Sequence, residues 1–226
     1  RRTNLLASEA FPYTTPTGTS MDSGDYEGSL DRALAAADYA GLRAEQQRRR
    51  EAGDPVQMGI GVATYVEITG FGGSEYGEVR LRSDGTVLAS TGATPIGTGH
   101  HTTWAMIVAD RLGVPLDSIE VFHGDTEVIP SGSTTGGSRS VQIAGSAMAD
   151  ASEKLVDLAR QAAADLLEAA PGDVVLDRER GAFHVAGTPS VARSWAEIAA
   201  AADEELAGLS DHSQDGATFP FGTHIV

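Results

Sequence analysis

Two short stretches rich in glycine and hydroxyl groups carry most of the chemistry in this sequence. They are Gly97-Thr98-Gly99-His100-His101-Thr102-Thr103 and Ser133-Thr134-Thr135-Gly136-Gly137-Ser138-Arg139-Ser140. Each reads as the end of a strand and the start of a helix. At such a corner the first backbone N–H groups of the helix lack internal partners and the helix dipole adds positive potential, so an anion, typically a phosphate, is favoured. Arg139 sits among hydroxyls, a good setting for binding an oxyanion. The plain alternatives are a helix cap by Ser138 or Ser140 and an ion pair from Arg139 to a carboxylate such as Asp125. Two corners in one domain imply a ligand with more than one anionic group.

Other candidates are weaker. His100 and His101 are adjacent, so on a helix they diverge by about 100° and cannot share one metal ion through the same face. One at the helix mouth and one satisfying a backbone group is the expectation, and no metal ligand is assigned. Phe71-Gly72-Gly73-Ser74 reads as a tight turn or bulge. Asp22, Asp25 and Glu27 lack the loop of a calcium-binding hand and read as charges at a helix start. Arg48, Arg49 and Arg50 read as a solvated helix end. No Gly-x-Ser-x-Gly elbow is present, and Thr102 replaces the third glycine of a dinucleotide-binding fingerprint, so no catalytic residue is assigned.

Composition narrows the ligand. With 16 Lys plus Arg against 32 Asp plus Glu, the net charge is −16, which repels nucleic acid and anionic membrane surfaces. A phosphate must therefore be held by local dipoles. There are 0 cysteines, which removes disulfides, thiolate metal sites and iron–sulfur ligation. No apolar run approaches the roughly 20 residues of a membrane helix and no secretory signal opens the chain, so a cytoplasmic location without membrane insertion is expected. The chain opens on Arg1 and closes on the apolar Phe219-Pro220-Phe221-Gly222-Thr223-His224-Ile225-Val226, which suggests a piece of a longer chain.

The elements that must position the two corners can be read from periodicity. Residues 1–27 are extended and rich in Thr, Ser, Pro and Gly. A helix with Leu30, Leu34 and Ala37 on one face runs on to Gly53 and Pro55. Met58 to Ile68 is β-rich. A hairpin pairs 78–82 with 86–89 through Ser83-Asp84-Gly85. A helix follows His101 and ends at Gly113, a strand spans 119–122, and a long helix follows Ser140 as far as Pro171. A second hairpin joins 174–176 to 182–185, Trp195 to Leu206 is a final helix, and 210–218 is loop. Hairpins mixed with helices predict an α+β domain over 55–226, preceded by an extended segment and connecting helix over 1–54.

Taken together, several motifs resemble one family. Arg2-Thr3-Asn4-Leu5-Leu6, Phe11-Pro12-Tyr13, Asp22-Ser23-Gly24-Asp25-Tyr26, Gly97-x-Gly99-His100-x-Thr102-Thr103, Gly124-Asp125-Thr126 and Gly137-Ser138-Arg139-Ser140 occur in this order in one group of large subunits. These are the molybdenum-binding large subunits of aerobic carbon monoxide dehydrogenases, in the xanthine dehydrogenase family of molybdenum hydroxylases. The resemblance implies a molybdopterin cytosine dinucleotide cofactor, contacted at Gly97, Thr98, Gly99 and His100 and at Thr135, Gly137, Ser138, Arg139 and Ser140.

It further implies a parent oxidoreductase acting on carbon monoxide or a related small substrate with water as oxygen source. Its partners would be the remainder of the large subunit, a flavin-binding medium subunit and an iron–sulfur small subunit. Thr98 stands where the family usually has Gln, and His101 where an acidic residue is usual. The family's Gly-Glu general base has no match, since Gly77-Glu78 lies in a hairpin strand, so no turnover is expected from this chain alone. The rival readings are a non-catalytic nucleotide- or pterin-binding module and a structural fragment with no preformed site.

Overall fold

A computed structural model describes residues 1–70 and 72–226; Phe71 of the Phe71–Ser74 string lies outside the described residues. The chain divides into two compact units, Arg1–Thr69 with Ala217–Val226, and Gly70–Gly216. In chain order the strands and α-helices are β1 Tyr13–Thr14, β2 Ser20–Met21, α1 Tyr26–Ala36, α2 Tyr39–Glu51, β3 Val62–Val66, β4 Ser74–Leu81, β5 Val87–Thr91 and α3 His100–Leu112. They continue with β6 Ile119–Phe122, α4 Gly145–Leu166, β7 Val174–Asp177, β8 Ala182–Val185, β9 Ala192–Ser194, α5 Trp195–Ala201, β10 Leu206–Ser213 and β11 Phe221–Ile225.

In the first unit β3 pairs antiparallel with β11, so the apolar terminal run is a strand, with Phe221 opposite Val66 and Ile225 opposite Val62. Where periodicity predicts one helix over 30–50 there are two. The break falls at Asp38, whose left-handed backbone (φ 45) ends α1 while its carboxylate accepts from the Gly41 N–H to start α2. Asp25 caps α1 in the same way through the Gly28 N–H, at 3.0 Å. Of residues 1–27, expected to be extended, 1–25 form short helical turns and the β1–β2 hairpin, and Tyr26 and Glu27 already belong to α1. Met21, Tyr26 and Phe219 are buried together, with Leu5, Leu6 and Phe11 against them.

The second unit is a four-stranded sheet, ordered β10-β4-β5-β6, with α3 and α4 packed on it, plus the small sheet β7-β8-β9 and α5. β4 and β5 form the antiparallel hairpin expected around Asp84-Gly85. β5 and β6 run parallel, a pairing that needs a long crossover, and α3 supplies it. The core joins Val79, Leu81 and Val87 of the sheet to Trp104, Val108 and Leu112 of α3 and to Met148, Ala151 and Leu155 of α4. Each such large apolar side chain contributes on the order of 1.5–3 kcal/mol when fully buried.

Two expectations fail here. The last helix ends at Ala201 and not at Leu206, and residues 206–213, of which 210–213 read as loop, form β10. β10 pairs with β4 along its whole length, from Leu206 opposite Leu81 to Ser213 opposite Ser74. Gly208, Ser210, Asp211, His212 and Ser213 have little strand propensity, so pairing with β4 and packing against α4 override it.

Candidate functional site

The topology of the second unit explains why the two corners lie together. Because β5 and β6 are parallel neighbours, their carboxyl ends lie side by side, and the loops leaving them, 92–99 and 123–139, start from one edge of the sheet. The region beyond the carboxyl ends of parallel strands is where ligands usually bind in such sheets. The loops then cross in backbone contact. A methyl group on Gly92 would lie 2.2 Å from the Gly132 Cα, so neither side chain nor water separates them. The Thr135 hydroxyl clamps the crossing: it accepts from the Thr94 N–H at 3.1 Å and donates to the Thr94 carbonyl at 2.6 Å. A cleft of about 390 Å³ opens between them, lined by Gly92 and Thr94 on one side and by Gly124, Asp125, Ile129 and Ser133 on the other.

The first corner is open. Gly99 caps α3 in a left-handed conformation (φ 78) with no side-chain cap on the helix start. A methyl on Gly97 or Gly99 would meet nothing within 4 Å, so this backbone faces free space. Thr98 hydrogen-bonds His100 Nδ1 at 2.8 Å, and the His100 ring stacks on Trp104 at 5.3 Å between centroids. His100 is therefore packed at the mouth. His101 does not satisfy a backbone group as expected; its Nε2 lies 3.1 Å from His123 Nε2, at the end of β6. Burial, and next the neighbouring His101, hold the His123 imidazolium below its ordinary pKa.

The second corner rests on a buried ion pair. Arg139 is turned inward, and its guanidinium donates to the Ser133 hydroxyl, to the Ser74 carbonyl at 2.9 Å, and lies 3.8 Å from Glu75. The Arg139 and Glu75 side chains are only 4% and 1% exposed. The carboxylate partner is thus Glu75, not Asp125, whose own oxygen accepts from the Glu127 N–H at 2.9 Å. Glu75 also accepts from the Ser133 N–H at 3.2 Å and lies beneath the Gly92–Gly132 crossing. Its burial raises the carboxyl pKa despite the opposing Ser133 amide and Arg139.

Above this pair Gly137 (φ 62) and Ser138 (φ 51) are successive left-handed residues, and Gly136 to Ser138 are exposed. A non-glycine residue held this way is strained, as residues at binding sites often are. The chain then enters α4 through a π-helical turn, Ser140–Ala144.

The two corners are also tied through the core. The fully buried Trp104, in the first turns of α3, donates its indole N–H to the Ser140 carbonyl at 2.8 Å. Thus Gly97, Thr98, Gly99 and His100 and Thr135, Gly137, Ser138, Arg139 and Ser140 belong to one connected region, although only part of it faces outward. Arg139 and Ser140 are buried, and the Thr135 hydroxyl is occupied by Thr94. Glu75, Gly92, His123 and Gly132 are contributors that sequence spacing does not show. The hairpin glutamate Glu78 is committed elsewhere: it accepts from the Tyr76 hydroxyl at 2.8 Å and from Arg80 Nε at 2.9 Å.

Both glycine-lined corners leave the edge formed by the parallel strands β5 and β6, and no group of three or more His, Cys, Asp or Glu residues that could hold a metal lies among the described residues. The chain belongs to the molybdopterin cofactor-binding domain family, which matches residues 32–226. It is 38% identical over 245 residues to the carbon monoxide dehydrogenase large chain of Hydrogenophaga pseudoflava, over 100% of this chain and 30% of that one. It is 35% identical to the 6-hydroxypseudooxynicotine dehydrogenase complex subunit gamma of Paenarthrobacter nicotinovorans, again over 100% of this chain and 30% of that one.

Among solved structures, the reconstituted CO dehydrogenase from Oligotropha carboxidovorans superposes with a TM-score of 0.83 at 33% identity, covering 100% of this chain and 31% of that one. Quinoline 2-oxidoreductase from Pseudomonas putida 86 superposes with a TM-score of 0.84 at 28% identity, covering the same shares. The chain thus spans about 30% of the length of the curated relatives it matches. The mixed helix-and-sheet fold expected from the sequence is that of these domains. No helix among the described residues is long and apolar enough to cross a membrane.

Proposed function

We propose that this chain is the cofactor-binding part of a molybdenum hydroxylase large subunit, and that its two corners grip one molybdopterin in its cytosine dinucleotide form. The observation that carries the reading is the convergence of 92–99 and 123–139 at the carboxyl ends of β5 and β6, clamped by Thr135 on Thr94. The donor set fits a phosphorylated, largely neutral heterocycle. Bare backbone at Gly97, Gly99 and Gly136 admits close approach, and the first N–H groups of α3 together with the exposed Ser138 suit phosphate oxygens. Arg139 acts from beneath. Paired with Glu75 behind the Gly137–Ser138 turn, it shapes the loop rather than meeting the ligand.

The cofactor, when bound, supplies the redox chemistry, and the residues of this chain position it and neutralise its charge. In the parent enzyme the substrate would be carbon monoxide or a related small molecule oxidised with water as oxygen source. Electrons would leave through an iron–sulfur small subunit and a flavin-binding medium subunit. With Glu78 held by Tyr76 and Arg80, this chain offers no general base at that position.

Calorimetric titration with cytidine diphosphate, pterin and inorganic pyrophosphate tests the reading. Cytidine diphosphate is expected to bind saturably at one site and more tightly than pyrophosphate, with affinity lost in Gly99→Ala. Equal binding of pyrophosphate, or none of cytidine diphosphate, would contradict recognition of a dinucleotide arm.

A further inference from the structure

His101 and His123 border the first corner, and neither is among the residues proposed to contact the cofactor. The two residues lie 22 apart in sequence and meet because α3 begins, and β6 ends, at the same edge of the sheet. Their Nε2 atoms are 3.1 Å apart, with ring centroids at 4.8 Å and planes inclined by 60°. Two imidazoles bound to one tetrahedral zinc-like ion at about 2.0–2.1 Å per bond have their nitrogens roughly 3.3–3.4 Å apart. The observed spacing falls about 0.2–0.3 Å short of that, a gap closed by a small rotation of the exposed His101.

We propose that His101 and His123 form a binding site for a divalent transition-metal ion of the zinc and copper class. Neutral imidazole is a ligand for these metals. The positive end of the α3 dipole opposes the cation and limits its affinity, while the net charge of −16 works in its favour. No third His, Cys, Asp or Glu completes the set among the described residues, so two ligands come from the chain and the remaining positions go to water or an exogenous ligand. His123 Nδ1 is buried without a hydrogen-bond partner, so ligation through Nε2 leaves the Nδ1 proton unpaired and limits the affinity further.

The site is tested on the full chain without cofactor, so that the outcome does not depend on cofactor binding. Zinc and copper(II) are titrated in competition with a chromophoric chelator, with magnesium as the control for diffuse binding to the acidic surface. One ion per chain is expected, with copper bound more tightly than zinc and magnesium not competing. His101→Ala, at an exposed position, is expected to weaken zinc at least tenfold, as is His123→Gln, while His224→Ala leaves it unchanged. Circular dichroism of each variant reports folding. Absence of a saturable site, or zinc affinity unchanged in folded His101→Ala, would overturn the proposal and leave the pair a simple imidazole–imidazole hydrogen bond.

Discussion

The corner at 97–103 is held at its surface, by Thr98 on His100 and His101 on His123. The corner at 133–140 is held from beneath, by a guanidinium and a carboxylate almost wholly removed from solvent. The difference assigns different work to similar sequences. Substitutions in the first corner should act mainly on ligand affinity, because its backbone is bare and its side-chain contacts are exposed. Substitutions beneath the second should act on the fold first and on the ligand through it, because Glu75 joins β4, Ser133 and Arg139 into one buried unit.

The largest test of this contrast is Arg139→Ala, which leaves Glu75 buried without its cation. Removing one member of such a pair costs about 3–5 kcal/mol, so a large fall in the urea midpoint is expected. The double substitution Glu75→Gln with Arg139→Met should restore much of the loss. A smaller effect is expected for Trp104→Phe, which removes the indole bond to the Ser140 carbonyl and part of a fully buried side chain at a cost of about 1–3 kcal/mol and loosens the link between the corners. Gly99→Ala places a side chain in a left-handed conformation at about 1–2 kcal/mol, with little change in packing because the surrounding space is empty. For the contrast to hold, its effect on cytidine diphosphate affinity must exceed its effect on stability.

The smallest effect is a pH dependence. Burial raises the Glu75 carboxyl above the ordinary glutamate value of 4.5, so the folded chain keeps this proton to higher pH than the unfolded chain. Its contribution to stability is full below 4.5 and is lost as pH rises through the raised folded value. Many surface carboxylates titrate in the same range, so the quantity to measure is the difference in urea midpoint between the parent chain and Glu75→Gln. That difference should change with pH in this window and level off above it.

Much of the fold was legible in the sequence because strong local signals agreed with tertiary structure. The Asp84-Gly85 hairpin, the helix closed by left-handed Gly113 and the amphipathic run of α4 all stand where periodicity and capping place them. β10 was not legible, since its polar residues become a strand only against β4, and the break at Asp38 is visible only as a cap once two helices are known. The helix starts at His100 and Ser140 were legible from the glycines and hydroxyls before them. Their supports were not: Glu75 lies 64 positions before Arg139, and His123 lies 22 after His101, separations that no local pattern joins. The inward turn of Arg139 could be read only from burial, because an arginine among hydroxyls has the same sequence whether it faces a ligand or a carboxylate.

Amide hydrogen exchange across 97–103 and 133–140, with and without saturating cytidine diphosphate, tests most directly whether both corners grip one ligand. Joint action predicts that the amides of both stretches slow together, and that Gly99→Ala abolishes the slowing in both. Slowing confined to one stretch, with the other exchanging as in the free chain, would contradict a shared site.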